Sequence, residues 1–110
     1  MTQTQRGSYI VSTEAAWYPV TLANGQNVGV AGVAGERVCV YAVFLSAANT
    51  VNLTFQDGNN DFSGAMPIIS LAFDTEDKPM ICSTGNNFNI TSTGNAAGMI
   101  FASYANSNPN

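Results

Sequence analysis

Histidine is absent from this chain, and charge is scarce: of 110 residues, three are Lys or Arg and seven are Asp or Glu, a formal net charge of −4. Without histidine there is no Ser-His-Asp arrangement, no His-containing metal site and no side chain whose ordinary pKa lies near neutrality, so the common hydrolase designs are excluded. Arg6, Arg37 and Lys78 are too few to neutralise a run of phosphates, the source of most nucleic-acid affinity, which argues against DNA and RNA as partners. The glycine-rich stretch "GVAGVAG", Gly29 to Gly35, lacks the basic residue and following helix of a phosphate cradle and reads as a flexible connection. Long apolar runs are missing too. The longest, "VCVYAVFL" (Val38 to Leu45), falls well short of the ~20 residues that span a bilayer, and the start "MTQTQRGSYI" has no apolar signal region, so a soluble chain with no membrane partner is expected. Without a secretory signal, "NLT" at Asn52 and "NIT" at Asn89 read as strand residues rather than glycan acceptors.

Helical periodicity is also lacking, because no window of helical length keeps apolar residues three and four apart without a Gly, a Pro or a β-branched run. Strand signals fill the chain instead. Thr50 to Gln56 sets Val51, Leu53 and Phe55 on one side and Asn52 and Thr54 on the other, the alternation of a half-buried strand. Arg37 to Phe44 is apolar on both parities, as in a strand covered on both faces, either by its own fold or by a neighbouring subunit. Further strands are expected at 8–12, 17–22, 27–31, 67–73, 79–82, 87–92 and 97–104, separated by clusters of Gly, Asn and Asp. Eight or nine short strands at this spacing in a single domain predict an all-β antiparallel sandwich or barrel. A polar N-terminal arm or first edge strand, residues 1–12, precedes the β-sandwich domain, residues 13–110.

Hydrophobic residues make up 45% of the chain and charged ones 9%, against about 25% charged in an average domain, so thirteen Asn and ten Thr must keep much of the surface wet. Cys39 and Cys82 sit among apolar neighbours and read as buried thiols, with a disulfide as the alternative. "DGNNDFSG" (57–64) begins like a calcium loop with Asp57, Asn59 and Asp61, but Phe62, Ser63 and Gly64 stand where such a loop needs its closing ligands; a chain reversal is expected, and no metal. Asp74, Glu76 and Asp77 beside Lys78 and Pro79 read as a solvated turn rather than a carboxylate pair for catalysis. Trp17 and Tyr18 could stack on a sugar ring; the reading preferred from size alone buries Trp17 in the core.

The strand "TVNLTFQDG" (50–58), the turn "SGAMP" (63–67), the segment from Thr91 through Gly94 and the closing stretch from Gly98 to Tyr104 together resemble small jelly-roll decoration (cement) proteins of tailed bacteriophage capsids. The resemblance covers residues 36–104. Gly98 stands earlier than the usual closing glycine, which leaves the register of that strand open. The resemblance implies a single antiparallel β-sandwich of jelly-roll type with no catalytic residue, cofactor or metal. It also implies a non-enzymatic structural protein that is made in the host bacterial cytoplasm, binds the major capsid protein on the virion exterior and stabilises the shell as a homotrimer. Thr4, Gln5, Arg6 and Tyr9 of the arm are then the expected capsid contacts, since a cation and an aromatic are enriched at interface hot spots. Val38, Val40, Tyr41 and Val43 are the expected subunit interface. The alternative is a carbohydrate-binding jelly roll on a phage tail or fibre, using Trp17, Tyr18 and the Asn-rich loops.

Overall fold

The structure is a computed structural model that describes residues 5–6, 9–10, 14–75 and 78–106, the first two pairs as backbone. Ten strands follow in order: β1 (Gln5–Arg6), β2 (Tyr9–Ile10), β3 (Ala16–Leu22), β4 (Gly25–Val30), β5 (Glu36–Asp57), β6 (Asn60–Asp61), β7 (Met66–Asp74), β8 (Met80–Ile81), β9 (Phe88–Ser92) and β10 (Ala96–Asn106). No helix forms among the described residues, and every pairing is antiparallel, as the turn-punctuated alternation predicted. β1 and β2 make a ladder of their own, and the other eight strands form one sheet.

The trunk of that sheet is β5, 22 residues long. Along one edge its first half pairs with β10, from Glu36 opposite Asn106 to Ser46 opposite Ala97, and its second half pairs with β9, from Leu53 opposite Ser92 to Asp57 opposite Phe88. Along the other edge runs β7, which pairs with residues 42–46 and again with 51–53. β3 lies outside β10 and β4 outside β9. The ladders break at one common level: Ala47–Thr50 is skipped in β5, Ala23 and Asn24 separate β3 from β4, and Thr93–Asn95 separates β9 from β10. The sheet is therefore creased. Its front half runs β3, β10, first half of β5, second half of β7; its back half runs β4, β9, second half of β5, first part of β7.

At the end away from the crease, two short segments cross from one half to the other. Residues 31–35 join the end of β4 to the start of β5, and residues 82–87 are held to both halves by backbone bonds, Cys82 N to Val38 O (2.8 Å), Gly85 N to Glu36 O (2.8 Å) and Gly58 N to Asn87 O (2.9 Å). Where these segments meet, a Cβ on Gly32 would overlap the backbone of Gly85 and Asn86, so only glycine passes. The two halves thus face one another and share one core. Val20, Leu22, Val38, Val40, Val43, Leu45 and Ile100 enter it from the front, and Val30, Val51, Leu53, Phe55, Phe88 and Ile90 from the back. Each such side chain contributes about 1.5–3 kcal/mol when fully buried.

Two details differ from the expected strands. Segments 37–44 and 50–56 are one continuous strand, because the intervening Ser46–Thr50 contains neither Gly nor Pro and its backbone stays extended through the crease. Second, β10 opposes Phe101 to Ala42 and Ala102 to Val40, leaving Tyr41 as an extra residue, a β-bulge. The bulge shifts the parity, so that Val38 and Val40 before it and Val43 and Leu45 after it all enter the same core. The bend proposed for "DGNND" is present: Gln56 pairs with Asp61 and Asp57 with Asn60 around Gly58, whose φ of 59° suits glycine.

Candidate binding faces

Residues opposite one another in a ladder share a face, so the outer surface of each half can be read from the register. On the front half, one row is Pro19, Met99, Phe44 and Ala72; the next toward β10's end is Trp17, Phe101, Ala42 and Asp74; the next toward the crease is Thr21, Ala97, Ser46 and Ser70. The charged member of these rows, Asp74, stands at the β7 edge. Trp17 packs on Phe101 at 4.6 Å and on Phe44 at 5.6 Å, and Tyr41 approaches Phe101 at 6.1 Å. Trp17 remains 48% exposed, Met99 44% and Phe44 37%, so a flat aromatic and apolar surface is open to solvent. A shallow depression of about 430 Å³ lined by Thr21, Ser46, Ala47 and Ala97 continues it to the crease.

The far end of this outer face is different. Cys39, Tyr41, Ser103 and Ala105 lie on it yet are buried, with the Tyr41 hydroxyl 2.9 Å from Ser103 Oγ, and the backbone of β2 lies beside β10. The face is thus closed at one end and open at the other.

The outer surface of the back half is a hydrogen-bonded ladder of amides and hydroxyls. Gln26 Nε2 donates to Gln56 Oε1 (3.0 Å), Gly58 O (3.3 Å) and Asn59 Oδ1 (3.2 Å); Thr91 Oγ1 donates to Gln56 Oε1 (2.8 Å); and Gln56 Nε2 donates to Asp61 Oδ1 (2.9 Å). Asn89 Nδ2 donates to Gly58 O (3.0 Å), and Val28 is the large exposed apolar residue on β4. At the rim the Asp57 carboxylate accepts from Ser83 N (3.0 Å), Ser83 Oγ (2.9 Å) and Asn86 Nδ2 (2.9 Å), fastening the 82–87 crossing to the end of β5. Asp57, Asn59 and Asp61 each accept from a different protein donor, so their oxygens do not converge on a cation, and no His, Cys, Asp and Glu cluster of metal-binding type occurs among the described residues.

The residues singled out from the sequence fall as follows. Thr4 lies outside the described residues; Gln5 and Arg6 form β1, and the backbone of Arg6 pairs with that of Tyr9 in β2. Val38, Val40 and Val43 are fully buried in the chain's own core and leave no side-chain surface for a second subunit, while Tyr41 lies at the closed end of the front face. This corrects the expected interface: the double apolar parity is satisfied within one chain, inward by the core and outward by the cluster of Cys39, Tyr41 and Ala105. Both cysteines are buried thiols outside any disulfide, and burial, with Asp57 and Cys39 adding to it, pushes the Cys82 thiol up to about 12. Asp74 ends β7, whereas Glu76 and Asp77 lie outside the described residues. Asn52 and Asn89 are strand residues, and Asn89 is only 6% exposed.

Trp17 overturns the preference for a core position, and it is Tyr18 that packs inward. The sequence does carry the signal. Val20 and Leu22 fix the inward parity of β3, which Tyr18 shares and Trp17 does not; Ile100 fixes β10 likewise, placing Met99 and Phe101 outside. No protein-family model, curated protein or solved structure matches the chain.

Proposed function

We propose that this chain is a non-enzymatic jelly-roll protein that attaches to the outside of an assembled phage capsid and stabilises it. The observation that carries the reading is the order of pairings. A jelly roll is a long antiparallel ribbon rolled into two four-stranded sheets, and here the ribbon is β3–β4 paired with β9–β10, then β5 paired with β7, each strand crossing the crease once. That order supports the fold implied by the motifs of residues 36–104. The open front face adds a surface suited to protein contact, and the low charge lets many copies crowd on one shell without strong mutual repulsion. A ligand that binds only the intact shell stabilises it by mass action. The partner in this reading is the major capsid protein, with the arm around Gln5, Arg6 and Tyr9 gripping it, and the place is the virion exterior.

The test is to mix the purified chain with mature heads of the phage that encodes it, count bound copies by gel densitometry and follow head disruption on heating. Saturable binding at hundreds of copies with a raised disruption temperature is expected; heads that remain bare overturn the proposal. The half-exposed Trp17 favours one second reading, a sugar-stacking platform. Its neighbours Phe44, Met99 and Phe101 offer a sugar no hydrogen-bonding groups, so a glycan panel followed by tryptophan fluorescence should show no saturable change.

A further inference from the structure

We infer that the open outer face of the front half is a homotypic contact, where a second copy of this chain packs sheet against sheet about a twofold axis. This goes beyond the capsid reading and does not depend on it. Sequence reasoning placed the subunit contact on residues that prove to be core; the face built by Trp17, Pro19, Phe44 and Met99 takes their place. Three observations fix the occupant as a second copy.

The first is area. At their exposures Trp17, Phe44 and Met99 present roughly 300 Å². The exposed Pro19, Thr21, Ser46, Ser70, Ala72 and Ala97 of the same rows extend the face over all four strands, toward the ~800 Å² per partner of a standard interface. The second is charge. The middle of the face, Pro19, Met99, Phe44 and Ala72, carries no charged side chain, and the exposed Asp74 stands at its β7 edge, so two copies can meet at the middle without desolvating an ion while that carboxylate stays at the rim. The third is shape. The face is the outside of a four-stranded antiparallel sheet with aromatic residues at its middle and small Thr, Ser and Ala residues toward the crease, which suits the packing of two such sheets ~10 Å apart. A twofold axis makes such a contact closed, so association stops at two copies through this face. The net charge of −4 on each chain repels at long range, and salt screens that repulsion beyond ~8 Å, so the contact must tighten as salt rises.

The test is sedimentation velocity on the full chain with reductant present, from low micromolar to about 100 µM. The expected result is a reversible rise from the 11.5 kDa monomer toward twice that mass, shifted to lower concentration by added salt. Phe44→Lys and Met99→Lys, each placing a charge in the contact, should weaken association at least tenfold, while Val28→Lys, on the outer face of the back half, should leave it unchanged. Circular dichroism on each variant checks the fold. Should one front-face variant fail to fold, the other decides, and protection of Trp17 from acrylamide that grows with concentration decides on the unaltered chain. A wild-type chain that stays monomeric throughout the range overturns the inference. So does dimerisation that survives a folded Phe44→Lys or Met99→Lys variant, or that weakens with salt.

Discussion

The two outer faces of this molecule are made from the same strands and dressed in opposite ways. β5 crosses the crease and contributes Phe44 and Ser46 to the front face, then Asn52, Thr54 and Gln56 to the back one. On the back, side-chain amides and hydroxyls bond one another across three strands, so the surface is saturated as well as polar. On the front, Trp17, Phe44 and Met99 stand half-exposed with no charged side chain among them. A chain with 9% charged residues can therefore make a wet surface from amides alone. Its front face is apolar for another reason, which cover by a second copy supplies.

The comparison holds only if both faces rest on one common core. Phe55 tests that: it is 2% exposed and its ring lies 5.7 Å from Phe88 and 5.8 Å from Phe73, which comes from the front part of β7. Phe55→Ala should lower the unfolding free energy by about 3–5 kcal/mol. Denaturant unfolding should remain a single transition, showing that the halves unfold together; two transitions would separate the faces into independent units.

Gly98 sharpens the front face alone. It sits inward between Val20 and Leu45, and an added Cβ would run into the carbonyl oxygen of Phe44. Gly98→Ala must push β10 away from β5, for which a cost of about 1–3 kcal/mol is expected. It should also disturb the Trp17–Phe44 contact, visible as a change in tryptophan emission. An unchanged midpoint and spectrum would mean that the strands separate without strain. On the back face the counterpart is Gln56→Ala, which removes three side-chain hydrogen bonds at a half-buried site; about 0.5–1.5 kcal/mol should be lost, with association unaffected.

How much of this was legible depended on parity. Val51, Leu53 and Phe55 alternate with polar residues, and alternation in a strand has one structural meaning, so their burial and the exposure of Asn52 followed directly. In 37–44 both parities are apolar, and a sequence cannot tell cover by the same chain from cover by another; nor could it show the bulge at Tyr41, since one extra residue leaves no compositional mark. The crease was hidden for a related reason. Ser46 to Thr50 bends without Gly or Pro, and what defines the bend is the loss of partners across β7, a long-range property. Trp17 was misplaced by reasoning from residue size where the spacing of Val20 and Leu22 held the answer.

The smallest expected effect is the most discriminating. Trp17 is half-exposed and its ring contacts, to Phe101 and Phe44, are pair interactions of the kind worth about 0.5–1.5 kcal/mol. Thr at the same site keeps a β-branched strand residue and removes exposed apolar surface, which offsets part of that loss. In the dilute monomer Trp17→Thr should therefore cost less than about 1 kcal/mol. At high concentration the comparison changes, because any ligand of the folded state, a second copy included, raises the melting temperature with concentration. The wild-type melting temperature should climb with concentration, and that of Trp17→Thr should stay flat. Calorimetry at two concentrations reads both. Parallel behaviour of the two proteins would show that the apolar front face contributes nothing to assembly, whereas a large loss in the dilute variant would show that Trp17 holds the single chain together.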